Sequence, residues 1–200
     1  MHPSALEFGR HFLDCYGGKT PRRILDVGSR DLNGSLRAFC PPGAEFVGID
    51  LDEGAGVDVV LKDPYAYPFD DQYFDLVVST SCLEHDQMFW LTFLECLRVV
   101  KPGGFVYFNC PSNGPYHAFP SDHWRFYPDA GKALQSWGRR VGQPNWLVES
   151  FIGPLKHDDE IWKDYVMIFS RTQPIPGSPR FLSDIVPDCT NIYCIDRPRS

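Results

Sequence analysis

Asp26-Val27-Gly28 closes one apolar run and opens the turn Ser29-Arg30-Asp31-Leu32-Asn33-Gly34, and Asp50 closes the next apolar run, 45–50. In sheets built from parallel strands, ligands settle beyond the carboxyl ends of the strands. Glycine at such a turn lets the backbone come close to a ligand. A carboxylate ending the neighbouring strand can accept hydrogen bonds from both ribose hydroxyls of an adenosine. A bound diphosphate would ask for the full G-x-G-x-x-G, which this turn lacks. Two acids there suit a ligand with positive charge. On the turn alone, an ordinary surface loop beside a strand-end aspartate explains the same residues.

A second concentration of reactive side chains lies in 109–127. His123 and His117 are the best proton acceptors, because a neutral imidazole near pH 7 can take a proton from a hydroxyl or amine. Asp122 can orient either histidine, and Arg125 can clamp a carboxylate or phosphate. Tyr116, Phe119, Trp124 and Tyr127 offer apolar or ring-stacking walls. The structural alternative is an aromatic lid in which Asp122 and Arg125 pair with each other. His85 has two readings, a group that closes the site or a residue that starts a helix. His157-Asp158-Asp159-Glu160 are neighbours in sequence and cannot readily all reach one ion, so a solvated turn and no metal are expected. His2 and His11 lie in a leading segment expected to be helical and carry no assignment.

Short apolar runs at 23–27, 45–50, 57–61, 74–79, 105–110, 146–152 and 165–170 predict strands. The run 74–79 is nearly all apolar, as a buried central strand requires. Phe89, Phe93, Cys96, Leu97 and Val100 recur with helical spacing and predict a helix over 86–100 with one face on a sheet. Lys101-Pro102-Gly103-Gly104 stops that helix and turns the chain into the next strand. Further helices are expected from Ser35 and from Asp129 to about Gly138. Strands alternating with helices give an α/β fold, a mostly parallel seven-stranded sheet with helices on both faces.

This body is expected to span 1–171. Pro174, Pro176, Pro179, Pro187 and Pro198 crowd the rest, 172–200. Proline at that density forbids long regular structure, so an extended arm is expected. Its apolar residues Phe181, Leu182, Ile185, Ile192 and Tyr193 allow it to pack on the body or to reach a second copy in a homodimer.

The chain has 200 residues, 43% hydrophobic and 22% charged, with net charge −7. A chain this size can bury about 70% of its unfolded surface, enough for a full core. The composition excludes a disordered or collagen-like protein. The acidic balance argues against a nucleic-acid surface, which needs concentrated positive charge. No apolar run approaches the about 20 residues needed to span a bilayer, and no secretory leader is visible. Seven cysteines without a C-x-x-C pair fit reduced thiols in a cytoplasmic protein better than a zinc or disulfide framework.

Ile24-Leu25-Asp26-Val27-Gly28 resembles motif I of the class I S-adenosylmethionine-dependent methyltransferases. Asp50 matches their acidic ribose residue, and Lys62-Asp63-Pro64 resembles the segment that meets the adenine. The stretch from Phe74 through Leu83-Glu84-His85 is similar to the strand and loop under the methionine. Leu97-Arg98-Val99-Val100-Lys101-Pro102-Gly103-Gly104 is similar to the turn before strand five. The motifs run in order across 22–109, as in the broad methyltransferase type 11 group.

The resemblance implies a Rossmann-like methyltransferase fold with S-adenosylmethionine as cofactor. It implies contacts from Asp26 and Gly28 at the methionine end, Asp50 at the ribose, Leu51 on the adenine, Asp63 at the adenine amine and Ser79 by the sulfonium. Arg30 and Leu32 replace the family's later loop glycines, so the loop is expected to take another path, with Arg30 pointing outward or covering the site. The implied reaction is methyl transfer to an oxygen or nitrogen of a small molecule, such as a sugar or natural-product intermediate. Tyr116, Trp124 and Arg125 are the expected acceptor contacts. Two alternatives are a non-catalytic cofactor-binding or oligomerisation module and an NAD-dependent oxidoreductase. The incomplete glycine pattern counts against the latter.

Overall fold

A computed structural model describes residues 3–18, 22–155, 161–174 and 180–197. Its elements in chain order are α1 (Pro3–Tyr16), β1 (Arg23–Val27), β2 (Glu45–Asp50), β3 (Val59–Val60), β4 (Phe74–Thr80), α2 (Phe89–Val99), β5 (Val100–Pro111), α3 (Ala130–Arg140), β6 (Trp146–Ile152), β7 (Asp164–Ser170) and β8 (Thr190–Cys194). They form one sheet in the order β3-β2-β1-β4-β5-β7-β6-β8. The five strands from β3 to β5 are parallel, and β7, β6 and β8 continue the sheet antiparallel. From β1 the chain builds outward through β2 and β3, then returns to β1's other side to build β4 and β5. That reversal opens a crevice at the carboxyl ends of β1 and β4, where sheets of this kind bind ligands.

Burial explains which runs became central strands. Ile24, Leu25, Asp26 and Val27 of β1 are buried, as is all of β4 except Asp75. One face of the sheet is covered by α2 and α3, with Phe93, Cys96, Leu97 and Leu134 in its core. The other is covered by α1 and by 181–186 of the proline-rich stretch, with Phe8, Phe12, Phe181 and Leu182. The rings of Phe93 and Phe169 pack at 4.8 Å, and removing a buried ring of this kind costs about 3–5 kcal/mol.

Three expectations are corrected. Ser35 opens a 3-10 turn, Leu36–Phe39, in place of an α-helix. Pro41 and Pro42 follow directly and bar helical continuation. α1 covers the space that the missing helix leaves, so closely that a Cβ on Gly9 would meet Leu36 Cδ2 at 2.5 Å. The helix expected from 86 begins at Phe89, because 82–88 is a chain of turns. There Asp86 accepts hydrogen bonds from Met88 N–H (2.9 Å), Tyr65 Oη (2.8 Å) and Thr92 Oγ1. Third, the sheet has eight strands, not seven.

The additional strand, β8, comes from the proline-rich stretch. Glu149 of β6 holds that stretch in place. Its buried carboxylate accepts from Leu182 N–H (2.9 Å), Ser183 N–H (2.8 Å), Ser183 Oγ (2.5 Å) and Tyr16 Oη (3.1 Å). The acidic turn 157–160 lies outside the described residues. Among the described residues no helix is long and apolar enough to cross a membrane.

Candidate active site

A cleft of about 770 Å³ opens at the carboxyl ends of β1, β2 and β4, lined among others by Asp26, Gly28, Asp50, Leu51, Ser81 and His85. Asp26 is 3% exposed. Burial pushes its carboxyl up to about 7, against the pull of the Arg37 charge and with a further push from Asp50. Gly28 turns at φ +78, and a Cβ there would lie 2.5 Å from Cys82 Sγ. Only glycine therefore lets the β1 loop pass the β4 loop. The N–H groups of Gly28 and Ser29 both donate to Ile49 O, at 3.0 and 3.1 Å. The buried Ser29 hydroxyl has no partner.

Asp50 Oδ1 accepts from Leu51 N–H at 2.7 Å, and Oδ2 accepts from Arg30 N–H at 3.1 Å. Arg30 lines the cleft mouth, with its guanidinium 3.7 Å from Asp52. Leu51 is 54% exposed at the same mouth. Asp63 and Ser79 are not among the lining residues. Asp63 Oδ1 accepts from Tyr65 N–H at 2.8 Å and shapes the turn, while Pro64 and Tyr65 line the cleft. Ser79 is buried and donates to Val27 O at 2.9 Å, tying β4 to β1 below the rim. Thr80, Ser81 and Cys82 line the cleft in its place.

The segment after β5 folds over the other end of the cleft, and Ala118, Phe119, Pro120 and Ser121 reach the lining. Its brace is the pair Asp122–Arg125. Arg125 donates to Asp122 Oδ1 at 2.6 Å and Oδ2 at 2.7 Å, and to Pro115 O at 2.6 Å. Asp122 also accepts from His117 N–H at 2.8 Å. Arg125 holds its carboxyl well below the usual carboxylate range, against the desolvation of partial burial. Both the Arg125 guanidinium and the His117 ring lie on Trp162.

Trp124 Nε1 donates to Asp86 O at 2.8 Å, and its ring packs on Phe89. Tyr116 is 76% exposed. His123 is exposed and uses its backbone N–H on Glu84 O at 2.7 Å. Of the acceptor-side candidates, His117 and Asp122 stand together. Both are absent from the cleft lining, as are Tyr116, His123, Trp124 and Arg125.

The histidine that lines the cleft is His85. Its Nδ1 is 2.5 Å from Ser121 O, which fixes the proton there, and its Nε2 faces Glu84 Oε1 at 3.7 Å. Burial lowers the pKa of His85 and pushes Glu84, 1% exposed, up to about 8. Sequence reading left His85 between two roles. Only the contact between the β4 loop and the segment after β5 decides that it faces the cleft.

The set fits an adenosyl group carrying a cationic methionine. A buried acid whose charge burial disfavours is stabilised by a cationic ligand, a strand-end acid suits a ribose, and the glycine corner admits a close ligand. Residues 25–108 match the family model of a methyltransferase domain. The ubiquinone biosynthesis O-methyltransferase of Alkalilimnicola ehrlichii is 32% identical over 131 residues, 58% of this chain and 51% of that protein. The ubiquinone/menaquinone biosynthesis C-methyltransferase UbiE of Geobacter sulfurreducens is 28% identical over 163 residues, 70% of this chain and 63% of that protein. The chain thus spans between half and two thirds of the length of these relatives.

In fold, the chain is similar to the solved 1,6-didemethyltoxoflavin-N1-methyltransferase of Burkholderia thailandensis, bound to 1,6-didemethyltoxoflavin and S-adenosylhomocysteine. The TM-score is 0.65 at 18% identity, covering 85% of this chain and 79% of that one. Residues 25–108 are thus similar to the methyltransferase-domain family, and the Rossmann-like fold of the chain is similar to that of this solved methyltransferase.

Proposed function

We propose that the chain binds S-adenosylmethionine in the cleft and transfers its methyl group to an oxygen or nitrogen of a small molecule held under the segment 115–127. The observation that carries this is the placing of Asp26 and Asp50 on one rim of the sheet, both lining one cleft. When bound, the cofactor supplies a methyl group on a cationic sulfur. Asp26 meets the ammonium of the methionine and Asp50 the ribose hydroxyls. Leu51, Pro64 and Tyr65, which line the same cleft, would hold the adenine. The volume, about 770 Å³, suits a cofactor plus a small acceptor.

Transfer from a sulfonium has a neutral leaving group, so the protein's task is alignment, which can supply roughly 7–11 kcal/mol. The lid excludes water, and His117, steadied by Asp122, stands next to His85 to help take the acceptor's proton. The relatives' names include O-, C- and N-methyltransferases, so the acceptor atom follows from the lid chemistry rather than from kinship.

A dinucleotide reading is disfavoured by the 3-10 turn after β1. A diphosphate would seek the amino end of an α-helix there. Incubation with methyl-labelled S-adenosylmethionine and fractionated small-molecule extracts tests the reading. Label is expected in a low-mass product. Cofactor binding without label transfer in any fraction would favour the non-catalytic module.

A further inference from the structure

We propose that Glu84, His85 and His117 hold one zinc-like divalent cation at the lid end of the cleft. One carboxylate oxygen and one nitrogen from each ring lie within 4.8 Å of one another. Two histidines and a glutamate are a donor set that suits zinc and leaves one position of a tetrahedron open. Around such an ion, donors at about 2.0–2.2 Å stand roughly 3.4 Å apart. Glu84 Oε1 and His85 Nε2 are already 3.7 Å apart. Small side-chain rotations close the remaining distance.

Two features beyond proximity point to a ligand. Glu84 is 1% exposed and its Oε2 has no hydrogen-bond partner. A buried carboxylate oxygen left bare is costly, and a cation removes that cost. His85 gives its Nδ1 proton to Ser121 O, leaving the Nε2 lone pair toward Glu84. Metal-bound histidines are held in this way by a backbone carbonyl on the other nitrogen. His117 Nδ1 lies 3.4 Å from Asp122 Oδ2 and pairs with it only when the ring is protonated. Arg125 Nη2 donates to that nitrogen at 3.3 Å while it also pairs with Asp122, so His117 takes an ion once this bond gives way.

His117 stands far from Glu84 and His85 in sequence, so no ligand-pair spacing announces the site. The lid brings it there, with the His85 and His117 rings 4.9 Å apart edge to face. Metal binding rests on this geometry alone. That the open position takes an oxygen of the acceptor rests on the methyl-transfer reading.

Calorimetric titration of Zn2+ into the full chain, kept reduced, is expected to show one site. E84Q, H85Q and H117Q are each expected to weaken it at least about tenfold. Co2+ in the same site is expected to give tetrahedral d–d bands without a thiolate charge-transfer band. H117Q alters a half-exposed lid residue, so it keeps the test open if the Glu84 variant fails to fold. No uptake of Zn2+, uptake undiminished in H117Q, or a thiolate band from the cysteines would each overturn the proposal. An ion held there would take the lone pair with which His117 could accept a proton, so the titration bears on that role, while the labelling experiment reads methyl transfer itself separately.

Discussion

Asp26 and Asp50 stand at the carboxyl ends of the adjacent parallel strands β1 and β2 and line one cleft, one buried and the other at its mouth. The two acids therefore do different work. Asp50 already accepts hydrogen bonds from the backbone N–H groups of Leu51, Arg30 and Asp52, whereas Asp26 is held in a site that disfavours its charge.

The pH dependence follows from Asp26. Its carboxyl titrates near 4 in an unfolded chain and at about 7 in the fold. Between those values the folded state binds the extra proton, so the empty protein loses stability as pH rises across that window, and the loss persists above it. A cationic ligand selects the ionised carboxylate, so cofactor affinity is expected to climb with pH up to about 7 and then level. D26N is expected to flatten both profiles, read by thermal unfolding and by titration of S-adenosylmethionine. A D26N profile as steep as the wild type's would contradict the assignment.

G28A is expected to abolish cofactor binding. The substitution forces a left-handed backbone on alanine, costing about 1–2 kcal/mol, and drives its Cβ against Cys82 Sγ. The double variant G28A/C82G relieves the collision but not the backbone strain. Partial recovery of S-adenosylhomocysteine affinity is the expected result.

S79A is expected to cost about 1 kcal/mol of stability by removing the bond to Val27 O, with cofactor affinity changed less than about threefold. A large loss of affinity with little loss of stability would instead place Ser79 in contact with the sulfonium.

R125M is expected to loosen the lid. Arg125 braces Asp122 and Pro115 outside the cleft lining, so S-adenosylhomocysteine affinity should hold within about twofold while turnover of any acceptor falls about tenfold or more, since misplacement alone can cost that much. If Arg125 clamps the acceptor directly, KM rises and kcat does not fall.

E149Q is expected to free the proline-rich stretch from β6 and α1. Four donors converge on that carboxylate, and weakening them should cost about 1–3 kcal/mol. Limited proteolysis should then cut after 171 faster than in the parent protein.

The parallel half of the sheet was legible because its strands are short apolar runs with breakers at their ends, and the acids at β1 and β2 fall where such strands stop. The turn after Ser35 was not, because a capping serine reads as a helix start while Pro41 and Pro42 allow only one turn. β8 was hidden by prolines, which forbid long elements but permit a short edge strand. In the lid, residue types suggested Asp122 as a histidine's orienter and Arg125 as an acceptor clamp, with their mutual pairing as the structural alternative, and that pairing exists. What composition could not give was which histidine faces the cleft. His85 does so because its ring is tied to Ser121 O across the lid, a contact between residues far apart in sequence.

Calorimetric titration of S-adenosylhomocysteine into the wild-type chain and into D50A tests the central claim most directly. One site per chain is expected, weakened about a hundredfold in D50A by loss of the charge-assisted ribose contacts. No heat with the wild type, or equal affinity in D50A, would contradict it.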